Sequence, residues 1–231
     1  MNNRIVSIDV LRSFAIVLMV VFHFIYDLRF FGYVEWNIPD GVGWRTFRHI
    51  ILIAFLICLG ASLHLSYQNG IDWKKFSKRL TQVLVSALAI SLVSLVIVPN
   101  NYIYFGVLHF IAVASVVCIM FANKPRASLT IGLFIIATYN IGAVSEKWPF
   151  TYILDHLPVY SNDYVGLFPW LGVVFVGIWS ASLSFVKNDP LLNLKKHTWI
   201  VFPGKHSLVI YLVHQPVLFA IFGLIAYLSE G

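Results

Sequence analysis

Residues 8–31 read IDVLRSFAIVLMVVFHFIYDLRFF, an almost unbroken apolar run that is long enough to cross a lipid bilayer as one helix. A membrane-spanning helix needs roughly 20 mainly apolar residues. The sequence contains about seven such runs, with boundaries at 8–31, 44–67, 80–98, 104–122, 128–145, 165–186 and 206–228. It therefore predicts an all-α, polytopic integral membrane protein.

The composition supports the same class. Of the 231 residues, 59% are hydrophobic and 11% are charged, and the mean hydropathy is +0.83. A soluble domain carries roughly a quarter charged residues, so a water-soluble globule and a disordered chain are excluded. No linker is long enough to divide the chain, and we expect a single transmembrane domain over residues 1–231. The net charge of +6 fits membrane topology, and no nucleic-acid partner is expected.

Basic residues set the expected orientation, because the cytoplasmic loops of membrane proteins carry an excess of lysine and arginine. With the N-terminus placed inside, the cytoplasmic side holds twelve of the sixteen basic residues and three of the ten acidic residues. The external side holds the other four basic and seven acidic residues. We therefore predict a cytoplasmic N-terminus and an external C-terminus.

Ionisable groups inside a bilayer are costly and mark candidate functional positions. His23 and Asp27 lie four residues apart on the first run and share one helix face. A carboxylate in that position orients an imidazole and raises its basicity, as it does for a general base. The alternative is a histidine capped by a carboxylate near the lipid headgroups. At about 1.5 Å per residue from the inner end, His23 falls in the outer half of the membrane.

Residues from two other runs are predicted at the same depth. Arg45, Arg48 and His49 open the second run from the outside, and His109 lies near the outer end of the fourth. Two arginines and a histidine at a membrane rim either clamp an anion or snorkel to lipid phosphates. His109 alone is typical of a hydrogen-bonded interior histidine. The shared depth favours a functional group of residues.

Further candidates lie on the sixth and last runs and at the inner rim. Trp170 opens the sixth run at the same external level. His214 enters from the cytoplasmic side, nearer the midplane, and is followed by Gln215 and by Pro216, a proline expected to kink the helix. Asp9 and Arg12 are three residues apart at the cytoplasmic edge, which predicts a structural ion pair.

A basic and aromatic stretch precedes the third run: Trp73, Lys74, Lys75, Lys78 and Arg79. Such an inner rim attracts either a nucleotide phosphate or anionic lipid headgroups. The sequence contains no Gly-rich phosphate loop, no zinc-ligand spacing and no G-x-S-x-G nucleophile elbow, and we expect no metal.

Four segments occur in an order that matches a known family, and together they span nearly the whole chain. They are Arg4-x-x-Ser7-Ile8-Asp9-x-x-Arg12 with its continuation to Phe22-His23-Phe24-x-Tyr26-Asp27-Leu28, Gly106-Val107-Leu108-His109-x-Ile111-Ala112, Pro169-Trp170-Leu171-Gly172, and His206-Ser207-Leu208-x-Ile210-Tyr211-Leu212-x-His214-Gln215-Pro216. This pattern resembles the short bacterial branch of the heparan-α-glucosaminide N-acetyltransferase catalytic-domain family. The last segment is also similar to acyltransferase-3 membrane enzymes.

The resemblance implies an enzyme that moves an acyl group from cytoplasmic acyl-CoA to a sugar amine or hydroxyl on the far side of the membrane. It implies acetyl-CoA, or another acyl-CoA, as donor, a sugar or glycan as acceptor, and the inner (cell) membrane of a bacterium as location. A homo-oligomer is left open. Two positions depart from the family: Ser13 stands where glycine is usual, and 31–35 holds no histidine before Trp36-Asn37.

Local chemistry therefore assigns the base or transient acyl carrier to His23, with Asp27 orienting it and His109 as a further catalytic candidate. Acceptor binding or carbonyl polarisation is assigned to Arg45, Arg48, His49, Trp170 and His214. CoA binding is assigned to Trp73, Lys74, Lys75, Lys78 and Arg79. The alternatives are a small-solute permease or carrier and a non-catalytic membrane subunit, in which the same polar residues form a binding site.

The charge asymmetry makes the orientation testable by cysteine labelling. The Lys75→Cys variant should react only with membrane-permeant maleimides, because the basic side is predicted to face the cytoplasm. The Asp155→Cys variant should react with an impermeant maleimide added outside intact cells. The opposite labelling pattern would overturn the orientation and the outward placement of the histidines.

Overall fold

The computed structural model describes residues 5–158, 160–161 and 163–230. Within these residues it is all-helical, and its extended pairing is limited to an isolated antiparallel bridge between Gly106 and Tyr164. The α-helices are α1 (Val6–Phe30), α2 (Val42–Tyr67), α3 (Trp73–Ile97), α4 (Val107–Cys118), α5 (Pro125–Asn140), α6 (Trp170–Ser180), α7 (Ser184–Lys187), α8 (Thr198–Lys205) and α9 (Ser207–Glu230). Short 3₁₀ helices occupy Pro99–Asn101, Ile119–Phe121, Phe150–Tyr152, Leu154–His156 and Leu192–Lys196.

Four helices among the described residues are long and apolar enough to cross a membrane: α1, α2, α3 and α9. Helix α6 and the segment Ser184–Lys196 meet at an angle of 67°. If this bent pair is counted as one broken span, the number of candidate spans rises to five. Helix α4 with its 3₁₀ extension is apolar but shorter. The all-helical class with several membrane spans is confirmed, whereas the count of seven and the orientation of the termini stay predictions.

Local sequence explains why two of the predicted runs, the fifth and the sixth, form shorter helices. Helix α6 starts only after Pro169, a residue suited to a helix start. Helix α5 ends at Asn140, and Gly142 follows with a φ of +75°, a left-handed conformation that ends helices and favours glycine. The predicted apolar runs 128–145 and 165–186 therefore extend beyond the ends of α5 and α6.

The chain packs as two compact units. The terminal unit comprises Met1–Phe55 with Asn188–Gly231, and the central unit comprises Leu56–Lys187. The expectation of a single domain over residues 1–231 stays a prediction.

In the terminal unit, α1 packs against both α8 and α9. Its apolar face fills a core formed by Ile16, Met19, Phe22, Ile38 and Ile51. This packing brings the start of the chain against its end.

A residue from the far end of the sequence caps the start of α1. The Asp189 carboxylate accepts hydrogen bonds from the backbone N–H groups of Val6, at 2.7 Å, and of Ser7, at 2.8 Å. The Ser7 hydroxyl donates to the same carboxylate at 2.6 Å. The first N–H groups of a helix have no partner within the helix, so Asp189 supplies the acceptor that they need.

The first half of α1 is hydrogen-bonded to α8 at Gly204. The Gly204 N–H donates to Ser13 Oγ at 2.7 Å, and Arg12 Nη1 donates to the Gly204 carbonyl at 3.3 Å. Arg12 also makes the ion pair expected with Asp9, at 3.4 Å. A Cβ at position 204 would clash with the Asp9 carbonyl oxygen, so this close approach requires glycine. The serine at position 13, where glycine is usual in the resembling family, thus gives the Gly204 N–H a buried acceptor.

The central unit also depends on close backbone contact. Gly60 of α2 lies against α6, and a Cβ there would clash with the Val174 carbonyl oxygen and lie 2.7 Å from the Ile178 nitrogen. Small residues at such crossings let membrane helices approach closely.

We expect Gly60→Ala to destabilise the protein by about 1–3 kcal/mol, because a methyl group pressed against backbone atoms forces the helices apart. The matched control is Gly223→Ala in α9, where nothing lies within 4 Å of the added Cβ. Thermal unfolding of the two purified variants in one detergent measures the difference. Equal stabilities would contradict the close α2–α6 crossing.

Candidate functional site

Helices α1 and α9 bring two histidines together in the terminal unit. The ring centroids of His23 and His214 are 4.8 Å apart, and the ring planes meet at 80° in an edge-to-face contact. Both side chains are half-buried. The sequence had assigned these residues to different roles and depths, and the structure makes them neighbours.

Each imidazole is held by a carbonyl of its own helix. His23 Nδ1 lies 2.9 Å from the Met19 carbonyl oxygen, and His214 Nδ1 lies 2.7 Å from the Tyr211 carbonyl oxygen. Because a carbonyl only accepts hydrogen bonds, the hydrogen-bond pattern assigns the proton of each neutral ring to Nδ1. The lone pair is then on Nε2, which is the atom that acts as a base or nucleophile.

Asp27 does not orient His23 as expected. Its side chain is fully buried, and Oδ1 accepts a hydrogen bond from Gln215 Nε2 at 2.9 Å. Within the described residues, the Asp27 carboxyl group makes no other hydrogen bond. The imidazole of His23 is hydrogen-bonded to the Met19 carbonyl instead. The shared face was predicted correctly, but the carboxyl group bonds to α9 because an amide donor is available there.

Gln215 is the residue of this site that sequence reasoning left without a role. A signal was present, since an amide inside the apolar run 206–228 needs a hydrogen-bond partner when it is buried. The partner, Asp27, is 188 positions away in the sequence, and only the packing of α1 on α9 reveals it.

An open groove with aromatic lining lies next to Phe22, the residue that contacts the His23 ring. Phe22 contacts the His23 ring at a centroid distance of 5.7 Å and also packs on Trp44 and Phe47. Trp36 stacks on Trp44 at 5.9 Å. The groove is open, holds about 510 Å³, and is lined by Asn37, Gly41, Gly43, Trp44 and Phe47. It combines aromatic surface with one carboxamide.

Arg45, Arg48 and His49 lie on the first turns of α2, beside the groove residues Trp44 and Phe47. All three side chains are exposed. Their position suits contact with an anionic group, either from a ligand or from lipid phosphates.

His109 belongs to the central unit and acts there as a helix cap. The Gly106 N–H donates to His109 Nδ1 at 3.2 Å, which satisfies a backbone donor before α4. The ring proton is therefore on Nε2, which lies 3.2 Å from Ser91 Oγ. Both ring nitrogens are engaged, so the geometry favours a structural role over the catalytic role predicted for His109. The predicted common level with the other residues stays a prediction.

Trp170 is also in the central unit, buried at the first position of α6. Its burial within that unit gives it a packing role there, and its predicted contact with an acceptor stays a prediction.

The predicted inner rim forms the exposed first turns of α3. The side chains of Trp73, Lys74, Lys75, Lys78 and Arg79 are all exposed. Asp72 caps this helix by accepting a hydrogen bond from the Lys75 N–H at 3.0 Å. The adjacent cavity, lined by Tyr67, Phe76, Arg79 and four other residues, holds about 10 Å³, room for about one water molecule. A nucleotide would therefore bind on the open surface of this rim.

Comparison with known proteins places these residues in a family context. The family profile described as "Heparan-alpha-glucosaminide N-acetyltransferase, catalytic" matches residues 4–216. The match includes the segments that carry His23, Asp27, His214 and Gln215. No curated protein and no solved structure matches the chain. Because the matched region covers nearly the whole sequence, the chain belongs to the heparan-alpha-glucosaminide N-acetyltransferase catalytic-domain family of membrane acetyltransferases.

Proposed function

We propose that the protein transfers an acetyl or other acyl group from cytoplasmic acyl-CoA to an amino-sugar or hydroxyl acceptor on the external side of a bacterial inner (cell) membrane. Family membership supports acetyl transfer. The observation that carries the proposal is the contact of His23 with His214, because the bond from each Nδ1 to a backbone carbonyl leaves Nε2 as the reactive atom.

His23 serves the reaction in one of two ways. As a general base, its Nε2 takes the proton of the acceptor amine or hydroxyl while that group attacks the thioester carbonyl. The C–S bond then breaks, and the departing CoA thiolate takes up the proton from Nε2. As an acyl carrier, Nε2 itself attacks the carbonyl, the C–S bond breaks, and CoA leaves as a thiolate that takes up a proton. The acceptor then attacks the acyl-imidazole and releases His23. We assign to His214 the polarisation of the thioester carbonyl, and for this its Nε2 must first bind a proton, because in the neutral ring the proton is on Nδ1, bonded to Tyr211.

The aromatic groove supports an acceptor that contains a sugar ring. Trp44 and Phe47 offer apolar faces to the C–H surface of such a ring, and Asn37 offers both a donor and an acceptor for its hydroxyl groups. Arg45 and Arg48 lie next to these residues on α2 and suit anionic substituents of a glycan.

The rim at the start of α3 supports the donor. Lys74, Lys75, Lys78 and Arg79 provide exposed positive charge for the phosphates of acyl-CoA, and Trp73 provides an aromatic face for adenine. Lys75 also lies over the Tyr67 ring, with Nζ 6.0 Å from the ring centroid.

The second candidate function is a small-solute carrier or a non-catalytic membrane subunit. The open groove favours it, because a groove of this kind binds a ligand without requiring chemistry. A carrier would bind a sugar without consuming acyl-CoA, which separates the two functions.

The decisive experiment follows labelled acetyl groups by mass spectrometry. Purified protein is incubated with isotopic acetyl-CoA and glucosamine, and we expect label on the sugar or on a histidine-containing peptide. His23→Ala should lower transfer by at least ~10²-fold, the usual contribution of a positioned base, while the protein stays folded. His156→Ala, an exposed histidine in a 3₁₀ helix, is the matched control and should transfer normally. Near-normal turnover by His23→Ala would contradict the role of His23 and place the base elsewhere.

The donor site is tested at the inner rim. The triple variant Lys74→Ala/Lys75→Ala/Lys78→Ala should raise KM for acetyl-CoA and leave kcat and the KM for glucosamine unchanged, because it removes uniform binding. The difference should shrink as salt is added, since exposed charges are screened over ~8–10 Å at physiological ionic strength. Calorimetry with CoA measures binding directly, and Lys147→Ala on the predicted external side is the control. If the wild-type protein does not bind CoA, the acyltransferase proposal fails and the carrier takes first place.

A further inference from the structure

We propose that Asp27 is a neutral, protonated carboxylic acid that exchanges two hydrogen bonds with the Gln215 amide, and that this pair positions His23 and His214. The inference rests on the proposed function only for its activity measurement. The protonation itself is tested independently of any reaction.

The first observation is a pair of buried acceptors without donors. Oδ1 of Asp27 accepts from Gln215 Nε2 at 2.9 Å. The other carboxyl oxygen, Oδ2, and the other amide atom, Oε1 of Gln215, are both enclosed, and neither has a hydrogen-bond partner within the described residues. Both atoms are acceptors, so the two side chains lack one hydrogen between them.

The second observation concerns charge. The Asp27 side chain has no exposed surface, and no ion pair of Asp27 occurs among the described residues. Arg29, two positions later, is exposed. A buried carboxylate without a cation is costly, and the usual remedy is to bind a proton. One proton on Oδ2 removes the charge and supplies the hydrogen that Oε1 lacks.

No charged group on a described neighbouring element forms an ion pair with Asp27, and Arg45 and Arg48 on the first turns of α2 are exposed. His23 and His214 donate their Nδ1 protons to carbonyls of their own helices. Lys205 follows Gly204, which packs against Asp9 and Ser13, about four helical turns from Asp27 along α1. The acidic residues Glu35 and Asp40 of the following loop are exposed and add no positive charge.

The location of the pair gives it a function. Asp27 lies one helical turn after His23 on α1, and Gln215 directly follows His214 on α9. A doubly hydrogen-bonded acid and amide fix the relative rotation of the two helices at this level. The pair therefore holds the imidazole rings at their contact distance without touching either ring.

Infrared spectroscopy of the full-length protein in lipid tests the protonation. At neutral pH, the wild type should show the C=O stretching band of a protonated carboxylic acid. This band should be missing from Asp27→Asn and should move to higher frequency in Gln215→Leu, which removes the hydrogen bonds. Asp9→Asn is the matched control: Asp9 is also buried on α1 but pairs with Arg12, so its replacement should leave the band in place.

Acetyl-transfer activity of variants distinguishes a positioning role of Asp27 from a requirement for its negative charge. The carboxamide in Asp27→Asn can donate to Gln215 Oε1 and accept from Nε2, so this variant should transfer acetyl groups within about threefold of wild type. Asp27→Ala and Gln215→Ala should lower kcat by about tenfold or more with an unchanged KM for acetyl-CoA.

Two results would overturn the inference. One is a carboxylic-acid region of the spectrum that is identical in wild type and Asp27→Asn. The other is an Asp27→Asn variant that folds but transfers as poorly as Asp27→Ala, which would mean that a negative charge is required. If the wild type shows no transfer, the proposed function fails, and the infrared comparison still decides the protonation of Asp27.

Discussion

The hydrogen bond between Asp27 and Gln215 joins residues 188 positions apart and belongs to a series that ties α1 to the last quarter of the chain. A bilayer offers no water to buried polar groups, so each polar side chain on a spanning helix needs a protein partner. The contacts in the series are Ser7 with Asp189, Arg12 and Ser13 with Gly204, and Asp27 with Gln215. They fix the register of α1 against α8 and α9, and the histidine pair depends on that register.

The chemistry of the pair combines a local and a tertiary effect. Each Nδ1 is bound by a carbonyl of the same helix, Met19 for His23 and Tyr211 for His214, so each tautomer is set within one turn of helix. The proximity of the two imidazole rings is set by packing between helices. A single helix would orient one imidazole, whereas the packing of two helices places two imidazoles side by side.

The two departures from the family acquire physical explanations. Ser13 replaces a glycine at the closest approach of α1 and α8, and its hydroxyl accepts the Gly204 N–H, so the contact gains a hydrogen bond where a glycine would leave that donor without this acceptor. The loop before Trp36 lacks a histidine, and the structure instead places two imidazoles in contact, one on α1 and one on α9.

The sequence by itself determined the helical membrane class, the family and the polar candidates on α1, because these depend on apolar run length and on local spacing. It also determined the ion pair of Asp9 with Arg12, since residues three apart on a helix are neighbours whatever the fold. Only the tertiary structure decided that Asp27 bonds to Gln215, that His214 contacts His23 and that His109 caps α4 through Gly106. The first two contacts join distant parts of the chain. The spacing of residues along a helix predicts which face a side chain lies on. It does not predict which residue of another helix will pack against that face.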